Sequence, residues 1–207
     1  MAIPRREQFR AVMLRYVEVP GARSLRALGL TPNAVTLIGF AVTLGAAYLV
    51  GSDRLLAGGI VFLLGGGLDL LDGALARLTG RVTPFGALLD SVLDRLGEAS
   101  LFVGLAVYSL RAGFSDRYLQ FFIIVLLLAL ILSQAVSYLR ARGEGLGVAT
   151  RAGLMTRPER VVLLGIGLII NQIEWALLFV LVFVAVVSGF TLLQRLFTIR
   201  GLLYKDG

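Results

Sequence analysis

Residues Leu68 to Ala99 read "LDLLDGALARLTGRVTPFGALLDSVLDRLGEA". This short stretch carries two pairs of carboxylates, Asp69 with Asp72 and Asp90 with Asp94. Spacings of three and four put each pair on one face of a helix. The intervening "TGRVT" is short and holds turn residues. The stretch therefore predicts two consecutive helices, antiparallel neighbours, whose carboxylates converge at one depth.

Outward from this hairpin the chain is strongly apolar. It has 207 residues, 57% hydrophobic and 16% charged. Soluble domains have about 45–50% apolar and about 25% charged residues. The bias, with runs such as "YLQFFIIVLLLALILSQAVSYL", points to a membrane. A spanning helix needs roughly 20 mostly apolar residues. Six such segments are expected, over 33–50, 55–78, 84–110, 117–139, 158–171 and 174–198. Their connections are short except for a longer loop over 140–157. Residues 1–32 are basic, without the apolar core of a signal peptide, and read as an amphipathic segment on the membrane surface. The expected architecture is all-α: a juxtamembrane segment, 1–32, followed by one six-helix transmembrane domain, 33–207.

Basic residues orient the bundle. Arg5, Arg6, Arg10, Arg15, Arg23, Arg26, Arg77, Arg81, Arg140, Arg142, Arg151, Arg157, Arg160, Arg195, Arg200 and Lys205 fall on one side. The other side has only Arg54, Arg111 and Arg117. The positive-inside rule puts both termini and the aspartates at the cytoplasmic face of the cell membrane. The formal charge of +7 would meet anionic lipid or an anionic substrate there.

There is no Cys and no His. Disulfides, thiol nucleophiles, Cys/His metal sites and imidazole catalysis are excluded. Proton transfer would fall to a carboxylate. Charges within spans are costly and usually mark function. Two like charges 4 Å apart repel by about 4 kcal/mol at an effective dielectric of 20. Salt bridges to Arg77 and Arg95 could not neutralise four carboxylates. Either some are protonated or cations bind. An all-oxygen donor set suits magnesium, manganese or calcium, and two divalent ions would balance the charge. Such a site suits phosphoryl transfer. Gly73 and Gly86 would let backbone or a bulky ligand approach closely, and Gly65, Gly66 and Gly67 would serve helix packing.

The pattern Asp69-x2-Asp72-Gly73-x2-Ala76-Arg77-x8-Gly86-x3-Asp90-x3-Asp94 resembles the complete signature of the CDP-alcohol phosphatidyltransferases. The resemblance implies six transmembrane helices, a homodimer, and transfer of a phosphatidyl group from a CDP-linked lipid to an alcohol with release of CMP. It implies two magnesium ions per subunit, for which manganese substitutes. Asp69, Asp72 and Asp90 would hold metal, and Asp94 would be general base and second-metal ligand. Gly73, Arg77 and Thr83 would contact the nucleotide and its pyrophosphate. "TPNAVT", Thr31 to Thr36, resembles the family's opening of the first span, so that Asn33, Ala34, Val35 and Thr36 would touch the CDP-lipid. Thr31-Pro32-Asn33 also reads as an ordinary helix start.

A second pattern bears on the acceptor. Pro158 fits the first turn of a helix, which puts Arg160 at the positive end of the helix dipole. A cation is disfavoured there unless an anion accompanies it. Arg140 and Arg195, at the ends of their own spans, could converge on the same place, and three arginines suit a phosphate monoester. For Arg142, Arg151 and Arg157 the positive-inside bias is explanation enough. Ser137-Tyr138-Leu139-Arg140-Ala141-Arg142-Gly143-Glu144, Arg157-Pro158-Glu159-Arg160 and Gln194-Arg195 resemble the phosphatidylinositol-phosphate synthase branch of the family. That branch often has Lys at the position of Arg140 and Asp at that of Asn33. The resemblance implies CDP-diacylglycerol as donor and inositol 1-phosphate as acceptor, bound by Arg140, Arg160 and Arg195. Nucleic acid is not an expected partner. The alternatives are a sister enzyme using glycerol 3-phosphate or another polyol phosphate, an ether-lipid donor, a cation-coupled transporter, and a non-catalytic lipid-binding subunit. The transporter would want its carboxylates at the midplane rather than near one face.

Overall fold

The computed structural model describes residues 18–148, 153–173 and 175–204. The expectation for the segment before residue 18 lies outside them, as does Arg151. Among the described residues the chain is all-helical, with seven helices. They are α1 (Val19–Ala27), α2 (Pro32–Gly51), α3 (Leu55–Thr79), α4 (Pro84–Arg111), α5 (Asp116–Gly145), α6 (Arg157–Ile169) and α7 (Ala176–Leu203).

Local chemistry sets the helix ends. Thr31 and Thr83 cap α2 and α4 by accepting the backbone N–H groups of Ala34 and Gly86, with a proline in the first turn of each helix. Gly80 ends α3 in a left-handed conformation, φ 66°. α6 opens on a capping box, in which the Thr156 amide donates to the Glu159 carboxylate. α5 runs to Gly145, so Arg140 stands on its last turns and not in a loop.

α2, α3, α5 and α7 are long and apolar enough to cross a membrane. The other two expected spans are helices of a different kind. α4 carries Asp90, Asp94, Arg95 and Glu98 between its start and its middle. α6 has 13 residues, about 20 Å at 1.5 Å per residue, against a hydrocarbon core of about 30 Å. α1 buries Ala22 and leaves Arg23 and Arg26 exposed.

The packing order departs from the hairpin expectation. α3 and α4 are consecutive but do not pack along each other. Both pack on α2, and the contacts continue α3 to α6, α6 to α7, α7 to α5 and α5 back to α4, which closes a ring of six helices. α1 packs outside, on α3. The reason is the surface of α2, whose small residues admit both neighbours. A Cβ on Gly104 of α4 would lie 2.4 Å from the Ala47 carbonyl oxygen. A Cβ on Gly39 would lie 2.7 Å from the Asp69 carboxylate. Helices drawn this close to α2 from two sides are splayed from each other, and the gap between them becomes the site.

One end of the ring is plugged. Phe62, Leu101, Phe102, Leu105, Phe122, Leu126, Leu164, Leu168 and Leu181 form a continuous buried core there. The other end, where α3, α5 and α7 finish and α4 and α6 begin, holds the four aspartates and most of the arginines. Close approach at Gly104 is testable. Gly104→Ala forces a backbone shift and should destabilise the protein by about 1–3 kcal/mol. Gly45→Ala, with nothing within 4 Å of the new methyl, should be neutral. Thermal unfolding of the two variants in detergent micelles checks the contrast.

Candidate functional site

The four aspartates gather where α3 ends and α4 begins. Asp94 is near enough to Asp90, Asp69 and Asp72 to feel each charge, and Asp72 feels Asp90 and Asp69. Asp72 is buried, and its Oδ2 accepts the Thr36 hydroxyl at 2.7 Å. Thr36 thus ties the start of α2 to the acidic group.

Neither Arg77 nor Arg95 neutralises the aspartates. Arg77 pairs with Glu18 at 2.9 Å. Arg95 donates to the carbonyls of Ser91, at 2.6 Å, and Ser137, at 3.0 Å, and to the Ser91 hydroxyl. The neutralising cation is Arg157, which bridges Asp69 at 2.6 Å and Asp94 at 2.9 Å. Positive-inside bias gave this residue an ordinary explanation in the sequence, because bias and binding ask for the same residue type at the same membrane face.

A divalent ion is compatible with this donor set. The carboxylates are hard oxygen ligands, and a cationic group already sits between two of them. Among the described residues no three carboxylates form a ready-made cage. Ions held there would share Asp69 and Asp94 with Arg157.

Two cavities open on this group. The first, about 250 Å³, is lined by Asp90, Asp94 and Ser137 and by five arginines, Arg95, Arg140, Arg157, Arg160 and Arg195. The second, about 370 Å³, shares Asp90, Asp94, Arg140 and Arg157 with it and continues over Leu63, Gly66, Gly67, Leu70, Val161 and Val162. A polar chamber and a mostly apolar one thus meet at the same carboxylates.

The three acceptor-side candidates line the polar chamber but differ in environment. Arg140 is exposed and pairs with Glu144 at 3.0 Å. Arg195 is buried, and its Nη1 donates to the Val136 carbonyl at 3.0 Å. Arg160 is 0% exposed, and Glu98 of α4, 1% exposed, grips it. Nε and Nη2 donate to the two Glu98 oxygens at 2.6 and 2.8 Å, and Nη2 also donates to the Ser137 hydroxyl at 3.1 Å. The anion that the dipole argument requires beside Arg160 is thus, in the first instance, Glu98. The sequence held one cue to it: Glu98 lies four residues after Asp94, on the same helix face.

The candidates for the nucleotide side cluster at the start of α2 and the α3–α4 turn. A Cβ on Gly86 would lie 3.0 Å from the Thr83 hydroxyl and 3.1 Å from the Asn33 side-chain oxygen, so these three are neighbours. Gly73 faces Arg77 across open space, a Cβ there meeting only the guanidinium at 3.4 Å. Val35 is turned inward against Ala22, Ala74 and Leu75. The amide of Ala34 is taken by the Thr31 cap.

A family model described as CDP-alcohol phosphatidyltransferase matches residues 29–198. The phosphatidylinositol phosphate synthase of Mycobacterium marinum is 38% identical over 87% of this chain and 78% of its own length. The archaetidylinositol phosphate synthase of Pyrococcus horikoshii is 39% identical over 84% of this chain and 86% of its own. Crystal structures of Mycobacterium tuberculosis phosphatidylinositol phosphate synthase superpose at 34% identity. One, with CDP-DAG bound, has a TM-score of 0.77 and covers 88% of this chain and 93% of that one. The other, with manganese and citrate, has a TM-score of 0.78 and covers 88% of each.

The buried pair makes its own prediction. Arg160→Met leaves Glu98 as an uncompensated buried charge and should cost about 3–5 kcal/mol. Arg140→Met breaks an exposed pair and should cost at most about 1 kcal/mol. Unfolding midpoints in detergent should separate the two variants, and equal midpoints would show that the Glu98 pair is not buried as described.

Proposed function

This chain belongs to the CDP-alcohol phosphatidyltransferase family, and on that premise we propose that it transfers a phosphatidyl group from CDP-diacylglycerol to a hydroxyl of inositol 1-phosphate, releasing CMP. The observation that carries this reading is the meeting of two unlike cavities at Asp90 and Asp94. The apolar one suits the lipid end of the donor. The polar one, with five arginines, suits a phosphorylated polyol better than a neutral alcohol.

In this reading Asp69, Asp72, Asp90 and Asp94 hold two magnesium ions, for which manganese substitutes. Divalent ions bound there would neutralise the pyrophosphate oxygens and the charge that develops on them. Arg157 offsets the charge of Asp69 and Asp94 and also lines the polar chamber. Asn33, Ala34, Val35, Thr36, Gly73, Arg77 and Thr83 form the nucleotide side. Arg140, Arg160 and Arg195 hold the acceptor phosphate, leaving the acceptor's hydroxyl toward the aspartates. Asp94 takes the hydroxyl proton. The oxygen attacks the phosphorus of the phosphatidyl group, and the bond to CMP breaks.

The identity to an archaetidylinositol phosphate synthase favours one second reading, an ether-lipid donor. Leu63, Leu70, Val161 and Val162 would receive ether and ester chains alike. We further propose six membrane spans, a surface-lying N-terminal segment, both termini and the site on the cytoplasmic side of the cell membrane, and a homodimer. The one-sided distribution of arginine supports the orientation.

Purified protein with CDP-diacylglycerol and magnesium should release CMP with inositol 1-phosphate and far more slowly with free inositol, glycerol 3-phosphate or serine. Excess chelator should stop turnover. A preference for glycerol 3-phosphate would select the sister reaction, and a preference for free inositol would remove the phosphate clamp.

Asp94→Asn should keep the fold and CDP-lipid binding but lose at least about a hundredfold in rate. A near-normal rate would pass the base role to another carboxylate, Asp90 first.

A further inference from the structure

Arg160 reaches the polar chamber under an unusual constraint. Its guanidinium has no exposed surface, yet the side chain lines the cavity. Glu98 takes Nε and Nη2 as a two-point fork, and Ser137 adds a second contact to Nη2. Nη1 is buried with no hydrogen-bond partner. A charged donor left unmet in a dry site is costly, and native structures keep such groups where something else satisfies them.

Glu98 is bound to the aspartates by geometry. It follows Asp94 by four residues and Asp90 by eight, so all three share one face of α4. α6, which carries Arg160, packs on α3 and α7 and not along α4. Packing on α3 and α7 seats α6, and Arg157 on Asp94 ties it to α4, but the place and plane of the Arg160 guanidinium relative to Asp90 and Asp94 are set by the Glu98 fork. A planar two-point grip fixes the plane of the guanidinium as well as its place.

We propose that Glu98 is a positioning residue for the acceptor. It holds Arg160 so that Nη1 is the one donor left for the acceptor's phosphate, at a fixed distance from the carboxylates that act on its hydroxyl. The inference rests on the phosphorylated-acceptor reading above. The competing account is a structural ion pair, whose loss would lower stability and leave substrate recognition intact.

Two variants separate the accounts. Glu98→Gln keeps the shape but removes the charge, and leaves Arg160 uncompensated, which threatens folding. Glu98→Asp keeps the charge and withdraws the fork by one methylene. Both are assayed in detergent with inositol 1-phosphate and CDP-diacylglycerol varied separately, beside an unfolding midpoint. Positioning predicts that Glu98→Asp raises KM for inositol 1-phosphate about tenfold or more, since misplacing a binding group by about 1 Å costs up to about a hundredfold. KM for CDP-diacylglycerol stays unchanged. An unchanged acceptor KM in folded Glu98→Asp overturns the proposal, as does an equal rise for both substrates. The wild-type protein supplies the separate control. If it uses free inositol as well as inositol 1-phosphate, the phosphorylated-acceptor reading and this proposal fall together. If it requires the phosphate and Glu98→Asp leaves KM unmoved, only the role of Glu98 falls.

Discussion

Ion pairs between the first turn of α6 and the acidic face of α4 hold the site in one piece. α6 reaches α4 through Arg157 on Asp94 and Arg160 on Glu98, and it touches α3 through Arg157 on Asp69. Two cations at a helix N-terminus oppose the dipole of their own helix. They are tolerated because three carboxylates from other helices face them. Replacing a buried ion pair by well-packed apolar groups is often neutral or stabilising. Stability alone is thus a weak reason for keeping charge in this bundle. Presenting guanidinium groups to an anionic ligand beside the aspartates is a reason that apolar residues cannot supply.

The ring of helices divides the labour. Its plugged end buries large aliphatic and aromatic side chains from all six members, so the bundle is held together away from the chemistry. Its open end can then leave polar groups around cavities without losing the fold. α2 makes this possible. By drawing α3 and α4 against its own small residues, it leaves the two aspartate pairs facing each other across a gap instead of sealed in a helix–helix seam. A side chain at Gly39 would collide with Asp69 itself, which links backbone packing directly to the placement of a candidate ligand.

Much of this was legible in the sequence, for physical reasons. Helix positions followed from apolar length and from Thr-Pro and Gly signals, and the expected segments differ from the observed helices by one or two residues except at the ends of α5 and α7, which both run on further. The four aspartates stood out because charge is costly in an apolar chain. The order of helices around the ring was not legible. A short connection allows antiparallel contact, but glycines on a third helix decided otherwise. Arg157 was hidden by topological bias, which places arginines at that face regardless of use. Glu98 was hidden because a single carboxylate on a helix reads the same whether it faces water or a buried arginine. Only its spacing from Asp94 hinted at the shared face.

The central claim is that carboxylates and arginines form one site, in which an ion-binding group and a phosphate-binding group share Asp90 and Asp94 as their border. A crystal structure of the protein soaked with manganese and inositol 1-phosphate, with anomalous differences recorded at the manganese edge, tests it most directly. The account predicts manganese peaks in contact with Asp69, Asp72, Asp90 and Asp94, and phosphate density on Arg160 Nη1 and on Arg140 or Arg195 in the adjoining chamber. Manganese away from the aspartates, or phosphate bound outside that chamber, would contradict it.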